Sequence, residues 1–227
     1  MWLDFIVLDL SLNHLVIVLG DTNKIIYKKK ITVKRDRAGV LFNSMQNIIK
    51  DLNLDLSSLD FLFSTIGPGN FNGIRISLSA LKGFAIYNNT KVLGLSSLEA
   101  ISRSFLNKKN KYILSIIKSS PDFYYIAWYD QFYKSIVPPK VININEKIEL
   151  PVSINDIVLV GNDVNLLAKK LNFQGEIYNI DSPSPESLYF SAKNSILNNQ
   201  HIEPNPVYLR EINAQKPFLW KNNPIVK

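Results

Sequence analysis

The sequence contains no cysteine and only two histidines, His14 and His201. No disulfide and no thiolate metal site can form. Zinc centres and histidine-based catalysis usually draw on several ligands or partners, so neither is expected. Long apolar runs are also missing. Asp4 and Asp9 interrupt the first apolar stretch, and no run reaches the ~18 residues of a membrane span. The expectation is a cytosolic protein with no membrane partner. What is present suits a globular chain: 227 residues, 46% hydrophobic and 20% charged. Lys and Arg number 26 against 19 Asp and Glu, a net charge of +7. Short basic clusters stand at Lys28-Lys29-Lys30, Lys34-Arg35-Asp36-Arg37 and Lys108-Lys109-Asn110-Lys111. They permit an anionic partner such as RNA, but solvated loop charges are the simpler reading.

The first half alternates clearly. Trp2–Asp9, His14–Gly20 and Ile25–Val33 read as a three-stranded meander. A helix over about 38–53 carries Leu41, Met45, Ile48 and Leu52 on one stripe. A strand Asp60–Ile66, a helix Ile74–Asn88, a strand Lys91–Leu95 and a helix Ser97–Leu106 follow. The second half repeats the order. Strands are expected at Lys111–Ile117, Phe123–Tyr129, Phe132–Val141, Ile157–Val160 and Ile177–Ile180, with helices at Asp163–Leu171 and Pro185–Asn199. The stretch 142–156 is poorly defined. Two βββαβαβα halves describe a duplicated ribonuclease-H-like α/β unit, the plan of actin-like ATPase folds. The expected domains are 1–105 and 106–227, with the C-terminal tail packing back on the first.

The helix 74–88 is apolar on two sides. Ile74, Leu78, Leu81 and Ala85 form one stripe; Ile76, Ala80, Gly83 and Tyr87 form the opposite one, with Arg75, Ser79 and Lys82 on a polar edge between. A helix on the surface of a single domain needs one stripe. The second stripe therefore meets either the 38–53 helix or another protein. Gly83 costs the helix ~1 kcal/mol relative to alanine, which a closely packed neighbour would explain. Before this helix lies Gly67-Pro68-Gly69-Asn70-Phe71-Asn72-Gly73. Strand, glycine loop and helix N-terminus is the plan of an anion site, with Asn70 and Asn72 as caps and Arg75 adding charge. A tight strand-to-helix turn accounts for the same residues. Neither common nucleotide fingerprint is matched.

The segment FSTIGPGNFNGIRISLSALKGFAIYNNTKVLGLSSLEAIS, Phe63 to Ser102, resembles the core of the TsaB (YeaZ) family, which carries a GPG-S-F-T-G-[LIV]-R loop followed by G-[LIV]-S-[ST]-L. Asp9 at the end of the first strand and Pro206-Val207-Tyr208-Leu209-Arg210 extend the likeness to both ends of the chain. The resemblance implies an actin-like fold and a non-catalytic subunit. Its partners would be a TsaD-like catalytic subunit, a TsaE-like ATPase and a TsaC-type enzyme. Together these place threonylcarbamoyladenosine beside the anticodon of tRNAs that read codons starting with A. It implies pairing with TsaD, or with a second copy, through the first two helices. The interface would then hold Ile76, Ala80, Gly83 and Tyr87, with Leu41 and Met45 from the first helix. ATP and metal would sit in the partner subunits, and tRNA would be met through the complex. Two departures stand out. Asn70 and Asn72 replace the family's Ser and Thr, and Lys118-Ser119-Ser120 stands where members commonly have Asp-Ala-Arg.

No catalytic or metal-binding residue is expected in this chain. The H-x-x-x-H helix through which TsaD holds its metal would fall on Ser97 to Ile101, and Ile101 cannot ligate a metal. A metallopeptidase reading fails on the same ground. A small-molecule kinase of this fold would need glycine-rich phosphate turns after the first strand of each half. Those turns read Asp9-Leu10-Ser11-Leu12-Asn13 and Lys118-Ser119-Ser120-Pro121-Asp122, without glycine. Asp9 could orient a magnesium-bound water or simply cap its turn.

Overall fold

The computed structural model describes residues 4–88, 90–105, 111–146, 152–153 and 156–209, apart from the side chains of Tyr87 and Asn88. Two five-stranded mixed sheets are each built on one plan. In the first, β1 (Phe5–Asp9), β2 (His14–Gly20) and β3 (Ile25–Thr32) form the antiparallel meander. β4 (Phe61–Gly67) then runs parallel to β1, and β5 (Lys91–Ser96) parallel to β4. The order is β3-β2-β1-β4-β5. In the second sheet, β6 (Tyr112–Lys118), β7 (Phe123–Tyr129) and β8 (Ser135–Asn143) repeat the meander. β9 (Ile157–Gly161) and β10 (Glu176–Asn179) add in parallel, giving β10-β9-β6-β7-β8. β1, central in the first sheet, and β9, an interior strand of the second, are buried along their whole length, as strands with parallel neighbours and covered on both faces must be. β3 is an edge strand, and its lysines blunt that edge against stray pairing. The described residues between β8 and β9 form no α-helix, so the second half lacks, among described residues, a counterpart to the first helix of the first half.

Among the described residues five α-helices cover the sheets: α1 (Arg37–Asp51), α2 (Phe71–Asn88), α3 (Ser97–Arg103), α4 (Val164–Lys170) and α5 (Pro185–Leu197). α1 and α2 lie on one face of the first sheet. There Leu41, Met45, Ile48, Ala80 and Leu81 close over Ile6, Leu8, Leu15 and Ile17. The other face of that sheet is covered by α5, from the far end of the chain: Leu188, Tyr189 and Ala192 meet Phe5, Val7, Val16 and Phe63. α3 lies between the sheets, with Ala100 joining that cluster. Its Leu98 and Ile101, with Phe105 just beyond, pack with Ile113, Ile117, Val158 and Val160 of the second sheet. The tail then lies along the first sheet. Gly94 of β5 donates its N–H to Ile202 O, and the Val207 N–H donates to Ile66 O, both at 2.8 Å.

α2 begins at Phe71, three residues before the apolar periodicity starts. Asn70 stops the chain there: its side-chain oxygen accepts from the Gly73 N–H at 2.8 Å, and its carbonyl accepts from the Ile74 N–H. β8 begins three residues later than its apolar run because Asp130 folds residues 130–134 into a turn, its Oδ1 accepting from the N–H groups of Phe132 and Lys134.

Candidate functional site

The inward stripe of α2 is core. Ile74, Leu78 and Leu81 are at most 3% exposed. Ser77 bonds Ser64 across to β4 at 2.8 Å, fixing the helix to its sheet. The outward stripe is different. Ala80 is 5% exposed and forms the floor of a groove between α1 and α2. Ile76 and Phe84 are half-buried beside it. Gly83 is exposed, and nothing lies within 4 Å of where a Cβ on it would stand. The groove has a volume of about 580 Å³, and Ala38 and Phe42 of α1 form its other wall. Phe42 is 47% exposed, and Ile86, one turn past the groove residues, is 86% exposed. α1 thus covers only part of the second stripe. The side chain of Tyr87 lies outside the described residues.

Two of the expected interface residues are not on this surface. Leu41 and Met45 are 0% and 1% exposed, because the regular stripe of α1 points at the sheet. The α1 residue that reaches the groove is Phe42, one position off that stripe.

The glycine loop lies against the turn after β1. The Asn70 N–H donates to Ser11 O at 2.6 Å, and the Gly73 N–H is held by Asn70. A Cβ on Gly69 would stand 2.4 Å from Ser11 O, and one on Gly73 would stand 2.0 Å from Leu10 O. Gly67 has φ +109, a backbone conformation that favours glycine. These glycines exist to let the loop lie directly on the turn after β1. Two of the N–H groups expected at an anion site are thus taken, that of Asn70 by the Ser11 carbonyl and that of Gly73 by the Asn70 side chain, and Asn72 faces solvent. Pro68 is buried beneath the loop. The Arg75 guanidinium lies 5.0 Å over the ring of Phe71, which in turn meets Tyr208 of the tail. The tail motif and the glycine loop are therefore neighbours, although Arg210 lies outside the described residues.

The second half repeats the loop-on-turn contact. Gly161 presses on the Ile116 carbonyl, and the Asn162 N–H donates to the same oxygen at 3.2 Å. Asn162 Oδ1 accepts from the Lys118 N–H at 2.8 Å, and the Lys118 ammonium pairs with Asp163 at 3.1 Å. Lys118 is thus tied to its own half. Asp9 is fully buried. Its Oδ1 accepts from the Ser11 N–H at 3.0 Å and from the Thr65 hydroxyl at 2.6 Å, the geometry of a turn cap. Ser97 and Ile101 are both fully buried, Ile101 among apolar side chains. They do not fit a metal that needs two imidazoles. No helix among the described residues is long and apolar enough to cross a membrane.

Comparison with known proteins follows the same outline. The family model described as "TsaD: tRNA N6-adenosine threonylcarbamoyltransferase" matches residues 32–216. A protein of Buchnera aphidicola subsp. Baizongia pistaciae (strain Bp), named tRNA threonylcarbamoyladenosine biosynthesis protein TsaB, is 24% identical over 181 residues, covering 75% of this chain and 82% of that protein. Two solved structures from Pseudomonas aeruginosa share the fold. One is described as an uncharacterized protein with similarity to peptidase YeaZ, with a TM-score of 0.81 at 20% identity, spanning 92% of this chain and 100% of its own. The other is YeaZ itself, with a TM-score of 0.79 at 19% identity, spanning 91% and 100%. With the family model spanning most of its length and relatives of these names at both levels, the chain belongs to the TsaD family as so described, among its TsaB (YeaZ) members.

Proposed function

We propose that this chain is a non-catalytic partner subunit in the formation of N6-threonylcarbamoyladenosine on tRNA, and that it works by docking a TsaD-like catalytic subunit on the α1–α2 face. The observation that carries the reading is Gly83. It sits mid-helix in open space, where alanine would favour the helix by ~1 kcal/mol and clash with nothing in the chain. That cost is offset only if something outside the chain comes close. The groove beside it is apolar and floored by Ala80, which suits another protein's helix. The chemistry, with its ATP and metal, belongs to partner subunits: Ser97 and Ile101 replace the imidazoles of the catalytic relative. A TsaE-like ATPase completes the assembly, which meets tRNA as a whole in the cytoplasm. A second copy of this chain is the alternative occupant of the same face.

The test is depletion of the protein followed by nucleoside analysis of bulk tRNA, with rescue by wild type or by Gly83→Arg. Threonylcarbamoyladenosine should fall on depletion, return with wild type and stay low with Gly83→Arg. Unchanged nucleoside on depletion would overturn the reading.

A further inference from the structure

The docking face is flanked by a second, smaller groove of about 270 Å³ between α2 and the tail segment Pro206–Tyr208. Arg75 and Ser79 line both grooves, so α2 presents a ridge with a depression on each side. Among the described residues that line the two grooves, the charged ones are Arg75 and Lys82, and none is acidic. Both are exposed. They stand seven residues apart, which places them on one line of the helix about 10 Å apart. α2 contains no Asp or Glu, and neither cation has an ion-pair partner among the described residues.

Accepting that the α1–α2 face is a docking surface, we infer that the Arg75–Lys82 ridge selects what docks: a different protein whose contact surface carries carboxylates, in preference to a second copy. In a two-fold pairing each copy presents the same patch. Four cations would then enter one contact region, with no groove-lining carboxylate from either side. Apolar stripes alone do not distinguish the two occupants, because both would fill the groove. The charges do: complementary charge favours the correct partner and repulsion disfavours the wrong one. The footprint also extends past α2, since Lys82 opens onto the groove walled by Pro206 and Tyr208.

The two pairings should respond to salt in opposite senses, because screening weakens attraction and repulsion alike. The experiment uses the full chain and the catalytic subunit of the proposed complex. Calorimetry measures their affinity, and sedimentation measures self-association, from low to high NaCl. Wild type should bind the catalytic subunit about tenfold more weakly at high salt, while self-association strengthens. Arg75→Glu/Lys82→Glu, checked for its fold by circular dichroism, should lose about tenfold at low salt; Arg75→Gln/Lys82→Gln should lose less. Affinity that ignores both salt and these variants overturns the inference. So does a tight self-dimer at low salt that Gly83→Arg abolishes. Gly83→Arg separates the two claims: if it abolishes binding while the charge variants do not, the face stands and the charge selection falls. If Gly83→Arg binds like wild type, the docking reading itself falls.

Discussion

Thr65 on β4 donates its hydroxyl to the Asp9 carboxylate on β1 at 2.6 Å, and both residues are fully buried. Among the described residues Asp9 is the one charged side chain in the buried core. It joins two parallel neighbours and, through the Ser11 N–H, shapes the turn on which the glycine loop rests.

Burial pushes the Asp9 carboxyl above its usual range; the hydrogen bonds from Ser11 and Thr65 oppose this without reversing it. A carboxyl raised in the folded state holds its proton more tightly folded than unfolded. Its contribution is full below the unfolded value of 3.8 and is lost as pH rises through the folded value. Asp9→Asn keeps an acceptor for Ser11 and Thr65 and removes the charge. Its Tm should exceed that of wild type by a few degrees near neutral pH, and the gap should close as pH falls toward about 4. A gap that widens on acidification would contradict this.

Two glycines of one helix should behave oppositely when replaced by alanine. Gly73→Ala drives a Cβ to 2.0 Å from the Leu10 carbonyl oxygen, which is backbone and cannot swing away. A loss of about 2–3 kcal/mol in urea unfolding is expected. Gly83→Ala meets open space and should gain up to ~1 kcal/mol.

Leu41 and Phe42 are adjacent on α1 and separate packing from docking. Leu41→Ala removes a fully buried side chain and should cost about 2–5 kcal/mol of folding stability. Phe42→Ala, at 47% exposure, should leave the chemical denaturation midpoint nearly unchanged while weakening binding of the catalytic subunit severalfold. Equal effects on stability would place Phe42 in the core.

Ending the chain before Ile202 removes the carbonyl that accepts from Gly94 and the amide that donates to Ile66. The Gly94 amide should then exchange with solvent faster than in the full chain, as an edge group without a partner does.

The succession of elements along the chain was legible because each buried strand is a short apolar run ended by a turn signal, and the duplication because the run order recurs. The two-sided character of α2 was legible too, and Ala80 and Gly83 do line its outer groove. Phe42 sits off the α1 stripe and carries no periodic signal, whereas the regular stripe that holds Leu41 and Met45 faces the sheet, as such stripes do. The loop glycines carried an ambiguous signal, since free N–H groups and close packing call for the same residues. Only the position of the Leu10–Ser11 turn decides between them, and that comes from pairing distant in sequence. The wandering of α3 and α5 left no local trace at all.

That exchange of helices has a mechanical consequence. The first sheet's inner face is sealed by a segment translated after the second sheet, and the second sheet is sealed by one translated before it. A chain cut between the two sheets would leave both pieces with a bare oily wall. The two halves should therefore melt together in a single transition, each serving as the other's missing lid.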